Sequence, residues 1–159
     1  MRDVQATLVI CGDGNFMKEA RQIARDAGVE DKVQFKGKIP PLQLRSFTQR
    51  AAVGVTLFDK RGLSNYYSLA NRFFDYMHAC VPQLCVDYPV YREIIAQFPF
   101  ALLIDDLSAE NISRKLNLLL EDHQLYKKMQ DECVRARKVF NWQIEERRLL
   151  AFYERVKND

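Results

Sequence analysis

The chain has 159 residues, 48% of them hydrophobic, and its 24 basic and 21 acidic side chains leave a net charge of +3. A chain this apolar and this nearly neutral buries enough surface to offset its conformational entropy, which excludes disorder. With only 6 glycines and 5 prolines it is neither collagen-like nor low-complexity, and one domain is expected at this length.

Thr7–Cys11 is an apolar strand candidate, ended by Gly12-Asp13-Gly14. Helical spacing follows from Phe16 to Ala27, with Gly28 as its C-cap. Lys32–Phe35 alternates as a strand does and stops at Gly37, after which Pro40-Pro41 opens a helix to Arg50. Ala52–Leu57 is a strand apolar enough to be covered on both faces. Phe58–Tyr67 has no period and is expected to form a long loop. Ser68 is placed to cap a helix over Leu69–Ala79. Pro82 turns the chain into a strand at Gln83–Val86, and a short helix near Tyr91–Ala96 precedes a last strand at Ala101–Ile104.

From Ser108 onward the spacing is helical. Ile112, Leu116, Leu119 and Leu120 share one face of the first helix, a second spans His123–Val139, and a third runs over Gln143–Lys157. Strands alternating with helices predict an α/β fold, a doubly wound, Rossmann-like domain with a mostly parallel sheet and C-terminal helices, residues 108–159 belonging to the same domain.

Several function classes fall away. No apolar run approaches the roughly 20 residues that span a bilayer, and Met1–Ala6 lacks a signal-peptide pattern, so a cytoplasmic location is expected. Cys11, Cys80, Cys85 and Cys133 form no Cys-x-x-Cys pair and read as reduced thiols, and with 2 histidines no metal site assembles by spacing. His78, among apolar helical neighbours, reads as a packed or capping side chain, and His123 as an exposed one. Asp59 follows a strand as a phospho-acceptor does, but the acidic pair and the lysine that such a site requires are absent. The basic tail residues Lys127, Lys128, Arg135, Arg137, Lys138, Arg147, Arg148 and Arg155 alternate with acids, so a mixed solvated surface is expected and no nucleic-acid partner. Trp142 and the stripe Leu149, Phe152 and Val156 are expected to pack against the sheet domain.

Ligands of open parallel sheets bind beyond the carboxyl ends of the strands. The Gly12–Asn15 turn precedes a helix, so the backbone at Gly12 and Gly14 could approach an anion; a tight turn with no ligand explains it equally well. Phe58–Tyr76 is richer. A helix beginning at Ser68 would offer the N–H groups of Leu69, Ala70 and Asn71 and the positive end of its dipole. Arg61 and Arg72 could complete a diphosphate cradle, and Asp75 shares a helix face with Arg72 and suits ribose or sugar hydroxyls. On residue types alone, a solvated Arg72–Asp75 pair is the better account.

The ordered set Leu8–Gly14, Val33–Ile39, Ala52–Val55, Asn71–Pro82 and Phe140-Asn141-Trp142 resembles the C-terminal, donor-binding domain of GT-B-fold group 1 glycosyltransferases. The resemblance implies that Asp75 is the second acid of the family's E-x7-E motif and holds ribose. It places Arg72 and the backbone at Ser68 and Leu69 by the donor diphosphate, and Lys38 and Ile39 beside the base. Tyr67 stands where the first acid falls, so donor identity and activity stay open and no catalytic residue is assigned. It also implies a retaining transfer from a nucleotide-diphosphate sugar to a glycan or lipid-linked acceptor, with no cofactor and no metal. The family's opening strand and helix have no match before Leu8, so this is expected to be the C-terminal half of a larger enzyme. Peripheral contact with the inner membrane face and a homodimer that satisfies an exposed strand complete the expectations. The alternatives are a non-catalytic nucleotide-binding fragment and a related GT-B nucleotide-sugar epimerase.

Overall fold

The computed structural model describes residues 1–158. Five strands are observed: β1 (Leu8–Cys11), β2 (Val33–Gly37), β3 (Gly54–Thr56), β4 (Gln83–Val86) and β5 (Ala101–Ile104). They alternate with α1 (Met17–Asp26), α2 (Pro41–Thr48), a one-turn α3 (Leu63–Tyr66), α4 (Asn71–His78) and α5 (Pro89–Gln97). The chain ends in α6 (Ala109–Glu121), α7 (His123–Ala136) and α8 (Trp142–Asn158). The expected α/β fold is therefore the observed one, and every ladder is parallel.

Local chemistry sets most of the boundaries. Gly28 adopts φ 64° just after α1, a conformation an L side chain rarely takes, and its N–H donates to the Arg25 carbonyl. Ser108 Oγ accepts the Asn111 N–H to cap α6, and an Asp122 carboxylate oxygen accepts the Leu125 N–H to cap α7.

The strands form two sheets, with orders β1-β2 and β3-β4-β5. β1 pairs with β2 alone, β3 with β4 alone, and their remaining edges face a shared groove. β4 is buried along its whole length. Its side chains are divided between two cores. Cys85 joins Phe73, Met77, Tyr91 and Phe100 under α4 and α5, whereas Leu84 joins Ile104, Leu119 and Met129 under α6 and α7.

The polar exception in this core is a relay between layers. Thr56 Oγ1 donates to Gln83 Oε1 at 3.0 Å, and Gln83 Nε2 donates to the Phe73 carbonyl at 3.0 Å, with both side chains fully buried. It ties β3 and β4 to α4. Gly54 is the other tie: a Cβ there would run into the Tyr76 ring of α4. Gly54→Ala is expected to cost about 1–3 kcal/mol through overpacking, measured by urea unfolding; a loss below a few tenths would show that Tyr76 moves freely.

Other expectations are corrected by contacts the sequence does not display. Phe58–Tyr67 is not wholly loop, because α3 occupies its centre. β3 is shorter than Ala52–Leu57, and α5 begins at Pro89, not Tyr91. The apolar stripe of the tail does not pack on the sheets: Trp142 is 62% exposed and Phe152 is 52% exposed. The tail's interleaved charges do pair, Lys127 with Asp131, Arg135 with Glu132 and Arg148 with Glu145.

Candidate functional site

Two cavities meet at α4. One, of about 700 Å³, lies between α2 and α4 and is lined by Pro41, Leu42, Arg45, Asp75, His78 and Arg137, among others. The other, of about 620 Å³, runs between β1 and β3, and Cys11, Arg72, Asp75 and Tyr76 line it. Asp75 belongs to both. The carboxyl end of β1 and the exposed face of α4 thus converge, as the rule for ligands of parallel sheets anticipates.

The start of α4 is set from a distance. Ala70 is the N-cap residue, and its N–H donates to the Tyr91 hydroxyl at 2.8 Å. Ser68, expected as the cap, instead donates its hydroxyl to the Asn65 carbonyl at 3.0 Å, closing the turn after α3. Ser68 is therefore not the cap, and Leu69 precedes the helix. The helical N–H groups begin at Asn71 and Arg72, because Phe73 N–H already donates to the Ala70 carbonyl. Tyr91 was missed as a site-shaping residue. Its one signal is being a fully buried phenol, which must find a polar partner.

Arg72 is poised over the strand ends. Its guanidinium stands 5.6 Å from the centre of the Phe58 ring, just beyond β3. Its positive charge opposes the burial that pushes the Cys85 thiol well up from its ordinary range, and it acts likewise on the phenols of Tyr76 and Tyr91. Arg72 and Asp75 form no ion pair with each other among the described residues. Both side chains are exposed on one face of α4, as the solvated account also expects.

Other expected site residues sit apart from this pair. Arg61 is bound to Asp59, its Nε donating to Oδ2 at 2.7 Å and its backbone N–H to Oδ1 at 3.0 Å. That contact holds the Asp59 carboxyl below its usual range, and Arg61 lines neither cavity. The Gly12 N–H is spent on the Gly37 carbonyl at 2.7 Å, and the Gly14 carbonyl accepts the Met17 N–H at the head of α1. Lys38 is exposed and Ile39 half-buried, immediately before the Pro41 and Leu42 that line the first cavity. Tyr67 is 60% exposed, its ring edge-on to Tyr66 at 5.0 Å. Among the described residues no group of three His, Cys, Asp or Glu could hold a metal ion, and no helix is long and apolar enough to cross a membrane.

Chemically, the convergence offers a guanidinium, two helix-terminal amides, a carboxylate and an apolar rim from α2. That set can bind an anion beside a hydroxylated ring. Residues 1–135 match the family described as glycosyl transferases group 1. No curated protein matches the chain. Among solved structures, Anabaena HepE in complex with UDP-glucose is similar over 94% of this chain and 41% of its own, with TM-score 0.76 and 16% identity. The C-terminal domain of a group 1 family protein, LpcC from Francisella tularensis, is similar over 84% of this chain and 69% of its own, with TM-score 0.67 and 21% identity. WaaG, a glycosyltransferase involved in lipopolysaccharide biosynthesis, is similar over 86% of this chain and 34% of its own, with TM-score 0.64 and 15% identity. The chain thus spans well under half the length of WaaG and of HepE.

Proposed function

The chain belongs to the group 1 glycosyl transferases, and from that premise we propose that it binds the nucleotide-diphosphate sugar for a retaining sugar transfer to a glycan or lipid-linked acceptor. The observation that carries the reading is the joint placement of Arg72 and Asp75, unpaired with each other, where α4 begins beside the end of β1. Arg72 and the Asn71 and Arg72 amides would take the diphosphate, Asp75 the ribose hydroxyls, and Lys38 and Ile39 the edge of the base. In transfer, negative charge grows on the leaving diphosphate, and a guanidinium with preorganised amides stabilises it without a metal. HepE, in complex with UDP-glucose, supports uridine nucleotides as the first probes. WaaG's part in lipopolysaccharide biosynthesis supports a lipid-linked acceptor.

Asp75→Ala tests the assignment with a built-in control. Calorimetric titration should show UDP binding about tenfold weaker, the loss of one charge-assisted hydrogen-bonded contact, with inorganic pyrophosphate binding unchanged. No binding of UDP, GDP or their sugars by the unaltered chain would overturn the donor site. One observation favours a second reading. Tyr67 cannot replace a carboxylate as a charged acceptor, and it points to nucleotide binding without transfer. Nucleotide binding with no sugar released or transferred would select that reading.

A further inference from the structure

Two tyrosines of α5 reach both parts of the phosphate site. Tyr88, the N-cap residue of α5, and Tyr91, one turn further on, are both buried. A buried phenol needs a polar partner, and each of these is bonded to backbone of another segment. The Tyr88 hydroxyl donates to the Phe58 carbonyl at 2.7 Å, and the two rings meet edge-on with centres 5.5 Å apart. The Tyr91 hydroxyl accepts the Ala70 N–H at 2.8 Å, and its ring lies 4.9 Å from Phe73 and 6.2 Å from Phe58.

Both partners belong to the site. Phe58 carries the Arg72 guanidinium over its ring, and Ala70 is the N-cap of α4, directly ahead of the Asn71 and Arg72 amides. Phe58 lies past the end of β3 in a stretch without regular structure, so no ladder holds its ring. Ala70 has no side-chain acceptor with which to fix its own helix start. In each case an α5 hydroxyl supplies a restraint that the local sequence lacks. Donors held in place beforehand bind an anion more tightly, because no ordering cost then falls on binding. We propose that Tyr88 and Tyr91 are positioning residues for the donor diphosphate. Tyr88, through Phe58, aims the Arg72 guanidinium, and Tyr91, through Ala70, aims the Asn71 and Arg72 amides. Neither touches the ligand. This role rests on the diphosphate reading of α4 and divides that site into two halves, each set separately from one helix.

Removing each hydroxyl while keeping its ring tests the role, by calorimetric titration of pyrophosphate and UDP. Tyr88→Phe and Tyr91→Phe are each expected to weaken both ligands about three- to tenfold, the effect of one neutral hydrogen bond. The same two substitutions are then made in Arg72→Ala. There Tyr88→Phe should have no further effect, because its route to the ligand is gone. Tyr91→Phe should still weaken pyrophosphate by its original factor, since the amides remain. Tyr126→Phe removes an equally short bond, from an α7 hydroxyl to the Ala52 carbonyl, and should leave both affinities unchanged. A merely stabilising role would weaken binding equally with and without Arg72, or in Tyr126→Phe as well, and either result overturns the proposal. Unaltered affinity in either α5 variant also overturns it, while leaving the diphosphate site itself standing. If the unaltered chain binds neither pyrophosphate nor UDP, the diphosphate reading falls and the positioning role with it.

Discussion

Arg72→Ala is expected to weaken UDP binding about ten- to hundredfold, because a charge-assisted contact to phosphate contributes roughly 1.5–3 kcal/mol. Unlike Asp75→Ala, it should weaken pyrophosphate by a similar factor, since the guanidinium reads phosphate and not ribose. Arg72→Lys should recover only part of the loss, a point charge being a poor substitute for a planar fork of donors. Thermal stability should barely change, as Arg72 is exposed and its side-chain contact is the ring face of Phe58. Calorimetric titration with both ligands decides the matter. Equal affinities in the variant and the unaltered chain would remove Arg72 from the site.

The adjacent position is expected to behave in the opposite way. Phe73 is fully buried, with Tyr91 at 4.9 Å, Phe100 at 5.1 Å and Phe74 at 5.5 Å between ring centres. Phe73→Ala removes the centre of that aromatic cluster and should cost about 3–5 kcal/mol by urea unfolding. Because Phe73 also lends its carbonyl to buried Gln83, any shift of α4 strains the Thr56–Gln83 relay as well. A loss under about 1 kcal/mol would mean that the cluster collapses freely around the space. Two successive residues of one helix thus face opposite ways, Arg72 exposed and Phe73 fully buried.

Much of this was legible in the sequence, for reasons that are local. Gly28 ends α1 because only a residue without a Cβ takes φ 64° readily. Ser108 caps α6 because its hydroxyl is the nearest acceptor for an orphan N–H. The three-residue spacing of Arg72 and Asp75 puts both on one helix face. Ser68 failed as a cap although serine is a better capping residue than alanine. The Tyr91 hydroxyl, 21 residues away, takes the Ala70 N–H and moves the helix start to Asn71. Arg61 failed similarly, since Asp59 two residues earlier holds it. The stripe on α8 was expected to pack on the sheets and does not, because period reveals a face and not what covers it.

What the sequence determined by itself is therefore the set of elements apart from α3, their order, and the motif series that marks the family. Each of these depends on contacts within a turn or two of chain. The tertiary structure alone decided which strand edges pair, where the Arg72 guanidinium stands, and that Asp75 opens onto two cavities at once. Those depend on residues far apart in the chain, such as Tyr91 with Ala70 or Cys11 with Tyr76. A strand carries no local mark of its neighbour, because its hydrogen-bonding groups are the same backbone atoms at every position. So β1 and β3 were each evident from their apolar runs, while the groove between them emerged only from the fold.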